Sequence, residues 1–448
     1  MQKYDVVIVG GGSAGLNAAL VVKDAGYMPI VVEKMPKIGG NSLKSSSGMN
    51  ASETIFQQQQ GIVDSNQAFY EETLQGGHGS NDVELLEYFV THSAQAIEWL
   101  KRQGMTLDNL TLLGGMTTKR THRPHDGSAI GGYLMHRLYE RAVENKIPIW
   151  TNARVSELLV DERGAIRGVN VIEKDQVAPK TVEAPTVILA SGGFGANREW
   201  IGRYRPEIKD YVTTNSPGNV GDGIRLAEHI GAATVDMAEI QVHPTVHQES
   251  RILIGEAVRG EGGILVNQWG ERFVNELTTR DVVSQAIVKQ PNQRAYLVFD
   301  ATVVKKAPAL NFYLARHLAW QADQIEEVAK MADVPIQPLL KTIEQWNRAV
   351  LAGKDEDFER LIQDAMPLMT APFGIIPIAP GIHFTMGGIK TNAQAQVLTT
   401  AGQPIAGLFA AGEVVGGLHG KNRLGGNAIA ETVVFGTRAG QSAVDYLN

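Results

Sequence analysis

The sequence predicts an α/β fold in which a twisted parallel sheet is assembled from both ends of the chain and an α+β domain is inserted between them. Residues 4–33 read as strand, helix and strand around a glycine-rich turn. Two later apolar segments, "TVILASGGFG" at 186–195 and "GLFAAGEVVGG" at 407–417, end in glycine and read as strands returning to the same sheet. Between them, "ADQIEEVAKMADV" and "LLKTIEQWNRAVLAG" alternate charged and apolar residues at helical spacing, a pattern expected of a solvated helical surface. Sheet segments at both ends imply an insert, placed at about 239–383, with 1–238 and 384–448 forming the other domain.

The chain has 448 residues, enough for two domains, and its 43% hydrophobic and 20% charged content suits a globular protein. A formal net charge of -7 leaves no basic excess for a phosphate backbone, which argues against nucleic acid as partner. A small anionic substrate must therefore be met by local arginines. The absence of cysteine excludes disulfides, thiolate metal sites, iron–sulfur clusters and a CxxCH haem attachment within these residues, so redox chemistry calls for a bound organic cofactor. The opening "MQKYDVVIVGGG" starts a strand without a basic n-region or longer apolar h-region, and no run of about 18 apolar residues occurs. A cytoplasmic protein without a membrane span is the expectation.

In the first unit, "YDVVIVG" is a buried strand, Leu16, Ala19 and Leu20 give the helix its apolar face, and "PIVVE" is the second strand. Gly10, Gly12 and Gly15 form G-x-G-x-x-G between strand and helix, permitting a tight turn and close approach of a pyrophosphate to backbone N–H groups. Glu33 follows 18 residues after Gly15, where a carboxylate accepts from ribose hydroxyls. Together these predict a Rossmann-like dinucleotide site. The small, polar "KIGGNSLKSSSGMN" at 37–50 suits a flavin ring lying close to backbone, although alone it reads equally as a flexible loop. Near the C-terminus a Gly-Gly pair opens a long helix near Asn427, whose positive end would face bound cofactor and favour the negative charge of a reduced flavin. The Gln57–Gln60 run reads as helix surface or loop.

Taken in order, "VVIVGGGSAGLNAAL", "GGNS", "GMNAS", "THRP", "ASGGFGANRE", "NSPGNVGDGI", "HPT", "GEAVRG", "RFVNELTTRD", "PGIHFTMGGI" and "GEVVGGLHGKNRLGGNAI" cover essentially the whole length. The chain resembles the flavoprotein domain of soluble, flavocytochrome-c-type fumarate reductases. The resemblance implies an FAD-binding domain and a mobile capping domain with the active site between them. It implies FAD contacts from Gly10, Gly12, Ser13, Ala14, Gly15, Glu33 and Lys34, then from Gly40, Asn41, Ser42, Gly48 and Met49. Further contacts fall at Ala190, Gly192, Asn215 and Asp222, and in the last segment at Gly412, Glu413, Arg423, Gly426, Ala428 and Ile429. Three departures from the family pattern stand out. These residues include no multihaem domain, so electrons must come from another molecule, such as a reduced flavin or a flavin or redox protein. The loop "GNSLKSS" lacks the histidine that tethers FAD in membrane-bound relatives, so noncovalent FAD is expected. Gly255 stands where similar fumarate reductases carry a threonine that helps hold a substrate carboxylate.

Reduction of an activated C=C bond needs a hydride at one carbon, a proton at the other, and stabilisation of the charge developing on the conjugated carboxylate. By resemblance, reduced FAD supplies the hydride, Arg423 and His383 clamp one end of the substrate, and His243 donates at the other. Arg280 is the acid, with Glu256 and Arg259 a relay from solvent. Arginine is a weak acid, with a pKa above about 12, and serves only beside a strongly basic centre and a group that reprotonates it. Taken singly, Glu256 and Arg259 read as an ion pair and each histidine as a core residue. His78, His122 and His419 read as structural or solvent-facing. The expected reaction is reduction of an α,β-unsaturated carboxylate, fumarate to succinate first. Urocanate, an acrylate or an arylacrylate is the alternative, because Gly255 removes a hydroxyl and opens space. A flavoprotein that only transfers electrons or senses redox state would need no proton donor at carbon.

Overall fold

The computed structural model describes residues 2–362 and 365–448. A six-stranded sheet runs in the order Gln396–Leu398, Pro404–Ala410, Thr186–Leu189, Val6–Val9, Pro29–Val32, Ile149–Trp150, parallel except for the first, antiparallel strand. The 186 and 404 segments thus return to the sheet begun at residue 6, with Val6 opposite Thr186 and Val187 opposite Leu408. The strands are continuous apolar runs because both faces are covered. Val6, Ile8 and Val31 face one layer, built from the helices Ser13–Asp24 and Asn427–Leu447. Val7, Val9 and Val32 face the other, where the antiparallel strands Ala153–Val160, Ile166–Glu173 and Lys180–Glu183 supply Val155, Leu158, Val169 and Val182. A one-residue slip would exchange the two faces.

Residues from Ile254 to Ile378 form a separate apolar cluster. Its backbone is an antiparallel sheet in which Phe373–Thr385 lies between Ile240–His247 and Ala295–Phe299, the last of these also pairing with Ile264–Val266. Ile375 and Ile376 belong to this cluster, whereas Ile240 and Ile382 pack with the large sheet. The paired strands 240–247 and 373–385 therefore carry the chain from one core to the other, and the proposed limits at 239 and 383 fall beside or within them. Bulges at Gln241/Val242 and His243/Val246 accommodate Pro244, which has no N–H for the ladder.

Three local readings differ from expectation. The glycine-rich stretch after residue 37 contains a short helix, Gly40–Leu43. Gln57 is buried, closing a capping box with Thr54 at the start of Ile55–Gln59. The helix Ile336–Ala352 is more than a solvated surface, since Leu339, Ile343 and Trp346 are buried and the guanidiniums of Arg272 and Arg360 stack on the Trp346 ring. Among the described residues no helix is long and apolar enough to cross a membrane.

Candidate active site

The turn after the first strand is shaped by two close approaches. Gly10 has φ +114°, and a Cβ there would lie 2.3 Å from the Ala190 carbonyl oxygen; a Cβ on Gly15 would lie 2.1 Å from the Gly10 oxygen. Neither position accepts a side chain, so the first helix begins tight against the sheet and its N-terminus opens into a cavity of about 1340 Å³. The C-terminal helix opens into the same cavity through Gly426, Ala428 and Ile429. Two helix N-termini and a turn stripped of side chains present backbone N–H groups to an anion.

Most of the expected cofactor residues line this cavity: Gly10, Gly12, Ser13, Ala14, Glu33 and Lys34; Gly40, Asn41, Ser42 and Gly48; Ala190, Gly192, Asn215 and Asp222; Gly412 and Glu413. Gly15 and Met49 do not, since Gly15 packs on Gly10 and Met49 is fully buried in the helical layer. Glu33 already accepts from the backbone N–H of Gly11 at 2.9 Å and of Met35 at 2.8 Å, so it stabilises the turn while retaining free lone pairs. Asn41 joins the floor of the cavity together, donating to Asn215 Oδ1 at 2.7 Å and to Glu413 Oε2 at 3.0 Å. Burial pushes the Glu413 carboxyl up, against hydrogen bonds from Asn41, Thr385 and Asn219. Lys34 and Asp222 form an ion pair at 2.5 Å.

Arg280, His383 and Arg423 line the same cavity, while His243, Glu256 and Arg259 lie immediately behind it. Arg280 is the first residue of the helix Arg280–Val288 and is gripped by Glu256, whose Oε2 accepts from its Nε at 3.0 Å and from a terminal nitrogen at 2.7 Å. Glu256 caps the turn Ala257–Gly260, which brings Arg259 to 3.7 Å from Oε1, an ion pair and not a hydrogen bond. Arg259 also donates to the Glu276 carbonyl at 2.5 Å. Behind it, Arg360 bridges Glu276 Oε2 at 3.0 Å and the Arg259 carbonyl at 2.5 Å. Arg259 is 0% exposed, so the expected relay from solvent ends, in this conformation, at a buried guanidinium.

Gln241 ties the cluster together. Its Oε1 accepts from both Arg280 and Arg423 at 3.0 Å, and its Nε2 donates to the Arg423 carbonyl at 2.7 Å. The rings of His243 and His383 meet edge to face at 5.2 Å. Burial first, then the neighbouring charge of Arg280, holds both imidazoles well below the usual histidine range, so both are neutral. His243 Nδ1 accepts from the Thr245 N–H at 3.2 Å, which places its proton on Nε2, and Nε2 is buried without a partner among the described residues. Burial, followed by Arg280, also brings Arg423 down to about 9, and its Nε has no partner among the described residues. Burial alone would raise Glu256, but Arg280 and Arg259 outweigh it and hold the carboxyl below its ordinary range. Three guanidiniums thus gather around Glu256, with Glu276 also near Arg259 and Glu413 and Glu431 near Arg423, and Arg259 and Arg423 keep donors that have no partner among the described residues.

Residues 5–429 match the family described as FAD binding domain. Over 444 residues the chain is 48% identical to an NADH:fumarate oxidoreductase of Klebsiella pneumoniae, covering 99% of this chain and 48% of that protein. It is 44% identical over 447 residues to a probable fumarate reductase of Shewanella frigidimarina, covering 99% and 75%. The solved open conformation of a flavocytochrome c3 fumarate reductase superposes with a TM-score of 0.82 at 43% identity, covering 99% of this chain and 78% of that one. The chain belongs to the FAD-binding family of fumarate-reductase flavoproteins. It spans about half the length of the Klebsiella relative and three quarters of the Shewanella one.

FAD is the cofactor of this flavoprotein, and the cavity fits it. Ser191, which lines the cavity, has an Oγ buried without a partner among the described residues, and the two helix N-termini supply the donors a pyrophosphate requires. The cavity exceeds the usual range for a single small ligand, about 300–1,000 Å³, and so has room for a dinucleotide and a substrate together. Sequence reading missed Gln241 and Tyr313. Gln241 lies two residues before His243 on one strand, a spacing that could have pointed to it. For Tyr313 no local signal existed. Of the three histidines set aside, His122 is buried between Thr54 and the Arg120 carbonyl, His419 is buried against Glu431 at 3.0 Å, and the more exposed His78 pairs with Asp281.

Proposed function

We propose that this flavoprotein reduces the C=C bond of an α,β-unsaturated carboxylate, fumarate to succinate in the first instance. The observation that carries the reading is the buried cluster of Arg259, Arg280 and Arg423 around Glu256, opening through Arg280 and Arg423 into the cavity that also holds the dinucleotide turn. Electron transfer alone needs no proton donor at a carbon centre. When bound and reduced, FAD supplies a hydride from N5 to one alkene carbon.

The protein's own groups do the rest. Arg423 and His383 hold the conjugated carboxylate and stabilise the charge that develops on it, Arg423 through a guanidinium whose Nε is otherwise unsatisfied. His243, neutral and protonated on Nε2, donates without adding charge. Arg280 touches the cavity, gives its proton to the second alkene carbon, and is reprotonated through Glu256, which already holds two of its nitrogens. Glu256 supplies the carboxylate between Arg280 and Arg259 when no substrate is present. The products are the saturated carboxylate and oxidised FAD.

Electrons reach the flavin from an external donor, a reduced flavin or a flavin or redox protein. Anaerobically reduced protein, mixed with a panel of fumarate, urocanate, acrylate and an arylacrylate, is expected to be reoxidised fastest by fumarate. Reoxidation by none of them would reject the reading. Reduced viologen is expected to sustain turnover, and NADH with this chain as the sole protein is not.

A further inference from the structure

Gly255 immediately precedes the carboxylate that grips Arg280, and its N–H donates to the hydroxyl of Tyr313 at 2.9 Å. A Cβ built at 255 would lie 3.1 Å from Ser46 Oγ and 3.4 Å from Tyr313 Oη. Two hydroxyls, one from the loop after Gly40–Leu43 and one from the helix Ala309–Ala315, therefore border the space that a hydroxyl-bearing residue at 255 would enter. Ser46 and Tyr313 line the same cavity as Arg280, His383 and Arg423. Gly255, which carries no hydroxyl of its own, is thus bordered by hydroxyls from elsewhere in the chain.

Tyr313 is 3% exposed. Burial pushes its phenol up to about 12, against the Gly255 N–H and the nearby charge of Arg123, so it stays protonated at neutral pH. Its oxygen accepts from Gly255, but its proton has no acceptor among the described residues. A buried donor without an acceptor is costly, and a ligand oxygen removes the cost. Arg123, buried with an Nε that has no partner among the described residues, lies near Tyr313, with Glu261 and Asp126 on its other sides.

We propose that Tyr313, flanked by Ser46, is the specificity-determining donor for the second, anionic end of the substrate, so that dicarboxylate enoates are selected over monocarboxylates. The inference rests on the enoate-reductase reading above and gives that site its substrate class. A phenolic hydrogen bond to a carboxylate is charge-assisted, and its loss is expected to weaken binding about tenfold or more.

The test is anaerobic turnover with reduced viologen, comparing KM and kcat for fumarate and acrylate in parent and variants, with FAD content and thermal midpoint recorded. In Tyr313→Phe the ratio of the fumarate KM to the acrylate KM is expected to rise about tenfold, with kcat for fumarate within about threefold of the parent. Gly255→Thr should change that ratio little in the parent but restore it in the Tyr313→Phe background, a non-additivity that a purely structural role of Tyr313 does not produce. A folded, FAD-loaded Tyr313→Phe protein that reduces fumarate with an unchanged ratio overturns the assignment while leaving the enoate reading intact. Should Tyr313→Phe fail to load FAD, a Gly255→Thr single variant whose preference for fumarate rises tenfold also overturns it, since the donor was then absent; an unchanged preference supports it. A parent that reduces no enoate refutes the underlying reading.

Discussion

Replacing Glu256 by glutamine separates a proton relay from an ion pair that merely holds the fold together. In the parent, Glu256 is 1% exposed, takes two hydrogen bonds from Arg280 and lies 3.7 Å from Arg259. Glutamine keeps one acceptor oxygen for Arg280 but removes the carboxylate that contacts both guanidiniums, and its amide N–H groups cannot accept from Arg259. Breaking a buried pair costs about 3–5 kcal/mol, and the retained acceptor puts this variant near the lower figure. Catalytically, losing the group proposed to return the proton to Arg280 is expected to lower kcat by about 10²–10⁴-fold, the usual span of general acid–base contributions. Ground-state binding should not suffer, because the cluster becomes more positive by one charge, so KM for fumarate should stay level or fall. The assay is anaerobic oxidation of reduced viologen by fumarate, with FAD content and a denaturation curve on the same preparation. A folded, FAD-loaded Glu256→Gln protein with kcat within about threefold of the parent would end the relay assignment. A raised KM at unchanged kcat would make Glu256 a binding group instead.

Arg280→Ala is expected to abolish C=C reduction while FAD content and the flavin spectrum survive, since Arg280 reaches the cavity from the helix Arg280–Val288 and not from the glycine turn; near-parental turnover would remove Arg280 as acid. Glu33→Arg should strip FAD from the purified protein, because it removes the acceptor for the Gly11 and Met35 N–H groups as well as the carboxylate proposed to meet the ribose, and unchanged FAD retention would take Glu33 out of the site. Stability should fall as pH drops below about 6.5, because His122, His243 and His383 are held neutral in the fold, His122 down to about 4 by burial, whereas the unfolded chain binds those protons; the stabilisation is present above the unfolded pKa and lost on acidification. His122→Gln should reduce proton uptake on unfolding at pH 5.5 by about one, and an unaltered pH slope would contradict this.

The local parts of this protein were legible in its residues. The apolar runs at 6–9, 29–32, 186–189 and 404–410, the turn at Gly10–Gly15 and the helix beginning at Asn427 depend on period, turn chemistry and capping, each of which acts over a few neighbouring positions. Even the pairing of Glu256 with Arg259 follows from one helical turn. What lay beyond reach were contacts between groups far apart in the chain. Nothing near Gln241 announces that it will hold Arg280 and Arg423 together, because that depends on a strand crossing from one core to the other and on a turn 182 residues away. Nothing around Gly255 shows that Tyr313 and Ser46 will border the space beside it, nor that Arg259 will be sealed behind Glu276 and Arg360. Sequence alone determined the elements and the kinds of charge available, because those follow from backbone sterics and apolar periodicity. The tertiary structure decided which donors were left unpaired, because burial and hydrogen-bond satisfaction exist only once distant segments have packed.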